Sequence, residues 1–259
     1  MELHFHKYQG AGNDFIVLEN RSQTIHLEQV QITKLCDRRF GIGADGLLLL
    51  QSHPGYDFEM VYYNSDGKPA SMCGNGGRCM AAFAQRIGLV EGQARFLAGD
   101  GPHEARISST GSVELKMGDV NGIARTRDSA ILNTGVPHFV RYVDHLDAVN
   151  VKEEGRKIRY SREFAAEGIN VDFMEYGAGG LYVRTYERGV EDETMACGTG
   201  ITAAAIAASG NQNQSYTVPV RAKGGFLEVR YDRTGDQEFR NIWLIGPATF
   251  VFEGNIQLP

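Results

Sequence analysis

Met72-Cys-Gly-Asn-Gly-Gly-Arg-Cys79 and Ala196-Cys-Gly-Thr-Gly200 are two versions of one short motif, and their first cysteines lie 124 positions apart. The same offset relates further pairs in the same order along the chain: Arg38 to Arg162, Phe40 to Phe164, Tyr62 to Tyr186, Ala81 to Ala205 and Ala84 to Ala208. Repeated Gly and Ala residues by themselves are weak evidence for a repeat. An ordered series that includes a Cys-Gly-x-Gly pair nevertheless predicts an internal duplication.

Each half is predicted to be a mixed α/β domain. Short apolar runs favour strands at Phe15–Leu18, Leu47–Leu50 and Phe58–Tyr63. Helices are predicted over Glu28–Arg39, Gly77–Ile87 and Thr199–Ala208. The polar stretch Gly118–Asp128 is the expected connection, so the predicted domains are 1–122, which carries Cys73, and 123–259, which carries Cys197. A pseudo-dyad relating two such domains is expected to place the active site in the cleft between them.

Composition and charge favour a soluble globular protein. The chain is 42% hydrophobic and 22% charged, with a net charge of −6 and no block of like charges, so neither a nucleic acid nor a membrane is expected as a partner. The first residues lack the apolar core of a signal peptide. We therefore expect a cytoplasmic location, in which the four cysteines stay reduced. The cysteines also lack the paired spacing of a zinc site, so no metal is expected.

The two matched cysteines, Cys73 and Cys197, each come directly before a predicted helix. The first helical turn has unpaired N–H groups and a positive dipole end, which bind anions and lower the pKa of a thiol. An amino acid held there by its carboxylate, with its Cα between the sulfurs, would lose a proton to one sulfur and gain one from the other. That exchange inverts the configuration, and the same N–H groups stabilise the charge on the carboxylate.

The remaining candidates have simpler interpretations. Cys36 lies in an apolar helix stripe and Cys79 lies one turn into its helix, so both are expected to be core residues. His138 follows Pro137 and is favoured as a structural histidine, with a supporting role at the site as the alternative. The glycine-rich loops are also compatible with phosphate binding, although neither ends in the Lys-Ser/Thr of a P-loop.

The chain resembles the diaminopimelate epimerase family. The matching segments follow the family's order over almost the whole chain: Gly10–Phe15, Gly41–Asp45, Tyr63–Gly67, Met72–Cys79, Gly168–Val171, Tyr186–Gly189, Ala196–Gly200 and Gly246–Thr249. The resemblance implies two mirrored α/β domains, no pyridoxal phosphate or other cofactor, and interconversion of LL- and meso-diaminopimelate for lysine and cell-wall synthesis. The expected partner is an amino-acid substrate. A homodimer is compatible with the sequence, which does not determine the oligomeric state.

The resemblance also implies roles for individual residues. The catalytic acid and base are Cys73 and Cys197, the α-carboxylate is surrounded by Gly74, Asn75, Gly198 and Thr199, and the rest of the substrate is held by Asn13, Asn64, Asn170, Glu187 and Arg188. A guanidinium suits a second carboxylate because it forms two parallel hydrogen bonds with it. For Arg188 the alternative is a surface ion pair with a nearby acidic residue. The 124-residue offset pairs Asn64 with Arg188. The two halves of the repeat therefore carry different side chains at a position where the two ends of the substrate must be distinguished.

Three departures from the family pattern concern the substrate. Gly46 stands where the family often has Gln, Val136 stands where it often has Asn, and the stretch Glu187–Thr194 is one residue longer than usual. One alternative is therefore a two-thiol racemase or epimerase of another amino acid. A second is a non-catalytic relative that only binds a ligand, although the presence of both cysteines argues against it.

Overall fold

The computed structural model describes residues 2–258 and divides the chain into two compact units. Unit 1 consists of the chain up to Leu115 together with the residues from Gly246 onward. Unit 2 is the continuous segment Lys116–Ile245. Within the described residues, each unit is a mixed α/β structure with two α-helices.

Unit 1 is built on a sheet whose neighbouring strands are, in order, Thr249–Gln257, Glu2–Gly10, Asn13–Glu19, Gly46–Gln51, Phe58–Asn64, Gln93–Ala98, Gly101–Ile107 and Ser112–Lys116. A two-residue strand, Pro69–Ala70, pairs with Phe58–Asn64. Two neighbouring pairs are parallel, namely Asn13–Glu19 with Gly46–Gln51 and Phe58–Asn64 with Gln93–Ala98. Parallel strands need a long crossover, and here the crossovers contain the helices α1 (Gln29–Cys36) and α2 (Gly74–Arg86).

Unit 2 repeats this arrangement. Its neighbouring strands are, in order, Ile123–Arg125, Ser129–Asn133, Pro137–Tyr142, Asn170–Gly177, Gly180–Glu187, Ser215–Ala222, Gly225–Gly235 and Glu238–Pro247. The short strands Val120–Asn121 and Asp192–Thr194 pair with Glu238–Pro247 and Gly180–Glu187. The third strand is parallel to the fourth and the fifth to the sixth, as in unit 1. Those crossovers contain α3 (Val151–Arg159), preceded by the 3-10 helix Leu146–Ala148, and α4 (Gly198–Ala207).

The matching strand orders confirm the duplication, and they show how the repeat is distributed along the chain. In unit 1 the strand Thr249–Gln257 holds the position that Ile123–Arg125 holds in unit 2. It belongs there because it pairs with Glu2–Gly10 over almost the full length of both strands. The compact units therefore differ from the predicted contiguous halves, 1–122 and 123–259, in their last strand and in a boundary that lies at Leu115.

The predicted connection Gly118–Asp128 is not a linker. It contains the strands Val120–Asn121 and Ile123–Arg125, which are too short to show a two-residue alternation of apolar and polar side chains in the sequence. Helix α1 is also shorter than predicted, because the chain turns to an extended conformation at Asp37, with φ −64° and ψ 125°.

Helices α2 and α4 begin at the predicted motifs, with Cys73 and Cys197 as their N-cap residues. Helix α4 is buried along its length apart from Thr199, as expected for a helix of small and apolar residues. Each unit has its own apolar core: α1 packs on Ile16 and Leu47 in unit 1, and Val171, Phe173 and Tyr186 lie in the core of unit 2. No helix within residues 2–258 is long and apolar enough to cross a membrane.

The contact between Gly155 of α3 and Tyr186 gives a test of this packing. A Cβ atom at position 155 would lie 2.4 Å from the Cβ atom of Tyr186, so a side chain there forces the helix and strand apart. Gly→Ala inside a helix normally stabilises a protein. We expect Gly155→Ala instead to lower the free energy of unfolding by roughly 1–3 kcal/mol, the usual cost of overpacking.

Urea denaturation measures this difference. Gly179→Ala is the matched control in the same unit, because nothing lies within 4 Å of the added Cβ atom. Equal stability of the two variants would show that the contact with Tyr186 does not require a glycine at position 155.

Candidate active site

In unit 1, four of the predicted site residues come together where α2 begins. Cys73 is half-buried, and its Sγ lies 3.5 Å from Oδ1 of Asn13, to which it donates. Asn75 Nδ2 donates to the same oxygen at 3.2 Å. Gly74 is the first residue of the helix. The strand Asn13–Glu19 and the start of α2 are thereby joined at one polar cluster.

A network of charged side chains holds the Asn13 side chain in position. Asp45 Oδ2 accepts from Asn13 Nδ2 at 2.6 Å, and Arg38 bridges Asp45 and Asp14 at 2.7 Å to each. Lys7 Nζ lies 2.8 Å from the Asp14 carboxylate. Burial raises the pKa of Asp14, but Arg38 and Lys7 outweigh it and hold that pKa at about 2. Sequence reasoning gave no role to Asp14 or Asp45, although both stand in the segments that carry the family resemblance.

Asn64 lies outside this cluster. It is exposed, ends the strand Phe58–Asn64, and pairs in register with Gly46. Its side chain makes no hydrogen bond to another residue in the described part of the chain. A Cβ atom at Gly46 would lie 2.6 Å from both the Tyr62 ring and the Tyr63 carbonyl oxygen, which explains why a larger residue is absent there.

In unit 2, a chain of hydrogen bonds starts at Cys197. Its Sγ lies 3.3 Å from Oγ1 of Thr199, which lies 3.0 Å from Nε2 of His138. The other ring nitrogen, Nδ1, lies 2.7 Å from Asp172, and both residues are fully buried. Because the carboxylate only accepts, Nδ1 carries the proton and Nε2 accepts from Thr199. The Cys197 thiol then donates to Thr199, and the path from sulfur to carboxylate is continuous.

The position of His138 is compatible with both of the interpretations that the sequence left open. Its two nitrogens are satisfied by buried partners, as expected of a structural histidine, yet one of those partners contacts Cys197. Asp172 was missed because it stands inside an apolar strand. That position is itself the signal, since a buried carboxylate requires partners, which here are His138 and Thr185 Oγ1 at 2.7 Å.

Asn170 and Arg188 extend the same cluster. Asn170 Nδ2 lies 3.4 Å from Nε2 of His138, and its Oδ1 accepts from the Arg188 backbone N–H at 2.7 Å. The Arg188 guanidinium donates to the carbonyl oxygens of Glu167 and Gly168, and within residues 2–258 it has no carboxylate partner. The alternative of a surface ion pair is therefore wrong. The neighbouring carboxyl group, Glu187, has its pKa raised by burial.

The two helix-capping thiols do not share one electrostatic environment. Burial, followed by the Glu187 and Asp172 carboxylates, raises the pKa of Cys197 well above its ordinary value, and Thr199 and the Gly200 N–H oppose this only in part. The expectation that the helix end lowers this pKa is wrong, because desolvation outweighs the partial charges of one helical turn. Cys36 and Cys79 are buried core residues as predicted, and burial raises their pKa values to about 11 and about 12.

One cluster of metal-ligand type lies in the described part of unit 1. His4, His6 and Glu253 bring their ligand atoms within 4.8 Å of one another. Arg86 already lies 3.7 Å from the Glu253 carboxylate, and His4 is hydrogen-bonded to Asn255 at 2.8 Å. Since Arg86 already supplies a positive charge beside Glu253, we assign no metal to the cluster of His4, His6 and Glu253.

Comparison with known proteins gives a consistent result. The profile of the family described as diaminopimelate epimerase matches residues 5–123 and 130–251. The diaminopimelate epimerase of Flavobacterium psychrophilum is 47% identical, with 98% of this chain and all of that protein covered, and that of Chlorobaculum tepidum is 43% identical, with 96% and 99% covered. Among solved structures, a phenazine biosynthesis protein of the PhzF family from Bacillus anthracis superposes with a TM-score of 0.76 at 12% identity, and both chains are fully covered. That likeness concerns the fold alone.

The charge network behind Asn13 predicts a pH-dependent stability. A carboxylate whose pKa falls from 3.8 to about 2 on folding stabilises the protein above pH 4, and this contribution is lost as the pH falls toward 2. We expect Asp14→Asn to be less stable than the parent by about 2 kcal/mol at pH 6 and to be nearly equal to it close to pH 2. Urea denaturation between pH 6 and pH 3 follows the closing gap. A gap that stays constant with pH would contradict the assignment, because the other acidic groups titrate in both proteins.

Proposed function

This chain belongs to the diaminopimelate epimerase family, and we propose that it is a diaminopimelate epimerase, which inverts one α-carbon to interconvert LL- and meso-diaminopimelate in lysine and cell-wall precursor biosynthesis. The observation that supports this most directly is the pair of cysteines that cap equivalent helices in the two repeated units. Helix starts supply hydrogen-bond donors for a carboxylate and a reactive thiol at the same place.

The proposed reaction is a two-base proton transfer. One sulfur, as thiolate, takes the α-proton while the C–H electrons move toward the α-carboxylate. The other sulfur, as thiol, gives its proton to the opposite face of Cα. The roles of acid and base are assigned to Cys73 and Cys197. Gly74 and Asn75 at one helix start, and Gly198 and Thr199 at the other, are assigned to the carboxylate, whose developing charge their N–H groups stabilise.

The hydrogen-bond chain in unit 2 supports a proton route for Cys197. A buried thiol with a raised pKa carries its proton at rest and can deliver it as the acid of the reaction, but it must lose that proton before it acts as a base. Thr199 accepts that proton and passes its own to Nε2 of His138, and the imidazolium that results is stabilised by Asp172 at 2.7 Å. The route uses the chain's own groups, so the proposal requires neither pyridoxal phosphate nor a metal. Dependence on free thiols also suits a reducing compartment, the cytoplasm.

The distal end of the substrate is assigned to Arg188, with Asn13, Asn64, Asn170 and Glu187 as further contacts. Arg188 is held by the hydrogen bond from its backbone N–H to Asn170 and by two carbonyl oxygens that accept from its guanidinium. Its position is therefore fixed, while its charge has no carboxylate partner among residues 2–258. A carboxylate at the far end of a small amino acid meets that requirement.

The thiol pair predicts a sharp difference among the cysteines. We expect Cys73→Ala and Cys197→Ala each to lower the rate of inversion by at least roughly 10²–10⁴-fold, because each removes the acid or base of one face of the proposed reaction. Cys36→Ala is the control, since that thiol is buried in the core on α1.

Chiral chromatography of LL- and meso-diaminopimelate measures inversion, and deuterium uptake from D₂O at Cα measures proton transfer. Full activity of either helix-cap variant would exclude the two-thiol reaction. Loss of activity in Cys36→Ala would show that the assay reports stability rather than chemistry.

Arg188 is tested by a substrate that lacks the distal carboxylate. Arg188→Ala is expected to lower kcat/KM for diaminopimelate by an amount equivalent to roughly 2–5 kcal/mol, because a desolvated carboxylate loses its partner. Deuterium exchange at Cα of lysine, which has no second carboxylate, should change much less. Equal losses for both amino acids would remove Arg188 from the distal site, and Arg188→Lys shows how much of the effect depends on two-point hydrogen bonding.

A further inference from the structure

Two amide side chains in unit 1 form a chain of hydrogen bonds that has a charged group at each end. Arg78, which is entirely buried on α2, donates from Nη2 to Oδ1 of Asn75 at 2.8 Å. Asn75 donates from Nδ2 to Oδ1 of Asn13 at 3.2 Å. Asn13 in turn donates from Nδ2 to Oδ2 of Asp45 at 2.6 Å. The chain therefore runs from a guanidinium to a carboxylate through two amides.

The two end groups determine the direction of this chain. A guanidinium only donates hydrogen bonds and an ionised carboxylate only accepts them, whereas an amide has a donor and an acceptor of similar shape and fits either way round. Arg78 therefore requires the oxygen of Asn75, and Asp45 requires the NH2 group of Asn13. The bond between the two amides can then form in one direction only, although Arg78 and Asp45 share no hydrogen bond or ion pair within residues 2–258.

This direction decides which atom of Asn13 faces Cys73. The thiol donates to Oδ1 of Asn13 at 3.5 Å, the same oxygen that accepts from Asn75. With the Asn13 amide turned over, its NH2 group would face the sulfur, and a donor at that place favours the thiolate over the thiol. An oxygen has no hydrogen to donate, so it stabilises the sulfur only while the sulfur carries a proton.

Asp45 is itself held by a second guanidinium. Its other oxygen, Oδ1, accepts from Arg38 at 2.7 Å, so its two oxygens have different donors. An amide at position 45 would keep its oxygen toward Arg38, which only donates, and would turn its NH2 group toward Asn13. The change from Asp to Asn at this position would therefore require Asn13 to present its oxygen to residue 45 and its NH2 group to the sulfur.

Unit 2 has a comparable chain that is built from different groups. From Cys197 the hydrogen bonds lead through Thr199 and His138 to the carboxylate of Asp172. An imidazole gains and loses a proton near neutral pH, and a hydroxyl can accept one proton while it donates its own. A side-chain amide is not an acid or a base in this range. The chain in unit 1 is therefore suited to orienting a group and not to carrying a proton.

Helix α4 also lacks the charged end of the chain. The position equivalent to Arg78 is Thr202, which is fully buried and donates to the carbonyl oxygen of Gly198 at 2.9 Å. In α2 the corresponding carbonyl oxygen, that of Gly74, lies 3.4 Å from Nη1 of Arg78. A contact with the first helical residue is thus present in both units. A cation that can fix the direction of a neighbouring amide is present at this position only in unit 1.

We propose that Arg78 and Asp45 are positioning residues, which together fix the direction of the Asn75–Asn13 amide chain and so hold an acceptor oxygen against Cys73. Each acts on the sulfur through the amide next to it. The orientation is a property of the free protein. With respect to catalysis it rests on the proposed function, in which the same oxygen stabilises Cys73 whenever its sulfur carries a proton.

The pH dependence of Cys73 alkylation tests the orientation. Iodoacetamide is the probe, and mass spectrometry of the peptide that contains Cys73 gives its rate of labelling at each pH. In Asp45→Asn the Asn13 NH2 group turns toward the sulfur and stabilises the thiolate. We therefore expect the midpoint of the rate–pH curve to fall by about one pH unit, which is a roughly tenfold change in the thiol–thiolate equilibrium.

Asp14→Asn is the matched control. It removes the same charge from the same network, in which Asp14 pairs with Lys7 and Arg38, but it leaves the bond between Asn13 and Asp45 in place. Its effect on the midpoint therefore measures the loss of a nearby negative charge alone. The midpoint must fall clearly further in Asp45→Asn. Equal midpoints in the two variants would make Asp45 an ordinary member of the charge network and would overturn the proposal.

A double-mutant cycle in urea tests whether Arg78 and Asp45 act through one chain. With Arg78 present, Asp45→Asn brings the NH2 groups of Asn13 and Asn75 against each other, so we expect a lower urea midpoint. In the Arg78→Met background both amides can turn over and the chain reverses, so the same change should shift the urea midpoint much less. Arg78→Lys keeps an end that only donates and should behave as the parent background. Equal shifts in the parent and Arg78→Met backgrounds would show that the two ends are independent, which contradicts the proposal.

The two experiments do not depend on each other. Arg78 is fully buried, so circular dichroism first establishes that Arg78→Met is folded. Asp45 is exposed, and the comparison of Asp45→Asn with Asp14→Asn decides the question without any change at position 78. Alkylation and unfolding use no amino-acid substrate, so a protein without epimerase activity still gives a definite answer.

Discussion

Two parallel strands cannot be joined by a tight turn, and this constraint places both of the matched cysteines. In each unit the chain leaves one strand, crosses the sheet through a helix and returns to a neighbouring parallel strand. The second crossover of each unit contains the helix that a cysteine caps, so the first N–H groups of that helix and the thiol lie at the same point. The polar clusters around Asn13 and around His138 are then built from strands next to those helix starts.

The features that local sequence determines were predictable. The duplication, the positions of the two capped helices and the core roles of Cys36 and Cys79 all follow from patterns within a short window. The long-range features were not. The pairing of Thr249–Gln257 with Glu2–Gly10 joins segments that are distant along the chain, and no local pattern specifies it. The environment of Cys197 was also misjudged, since desolvation depends on the packing around the thiol and not on its neighbours in sequence.

Asp172 and Arg78 belong to a second class of omissions. Each is a single charged residue in an otherwise apolar or small-residue segment, and such a side chain is usually expected to be exposed to solvent. Both are fully buried, and each has been given hydrogen-bond partners by the fold. An isolated charged residue inside a predicted core element is therefore a strong indicator of a functional site. Burying a charged group costs free energy unless it has compensating partners. The duplicated scaffold supplies two equal frames, and the unequal charges at Arg78 and Thr202, or at Asn64 and Arg188, distinguish one frame from the other.

The position of Thr249–Gln257 in unit 1 also determines the order in which the protein is built. Unit 2 is a continuous stretch of chain and has all of its strands once residue 247 has been synthesised. Unit 1 begins earlier in the sequence but lacks its partner for the strand Glu2–Gly10 until residues 249–257, which follow the whole of unit 2, have left the ribosome. During synthesis that strand has an unpaired edge, a type of surface that favours association with other chains. The half of the protein that is made first is therefore the half that is completed last.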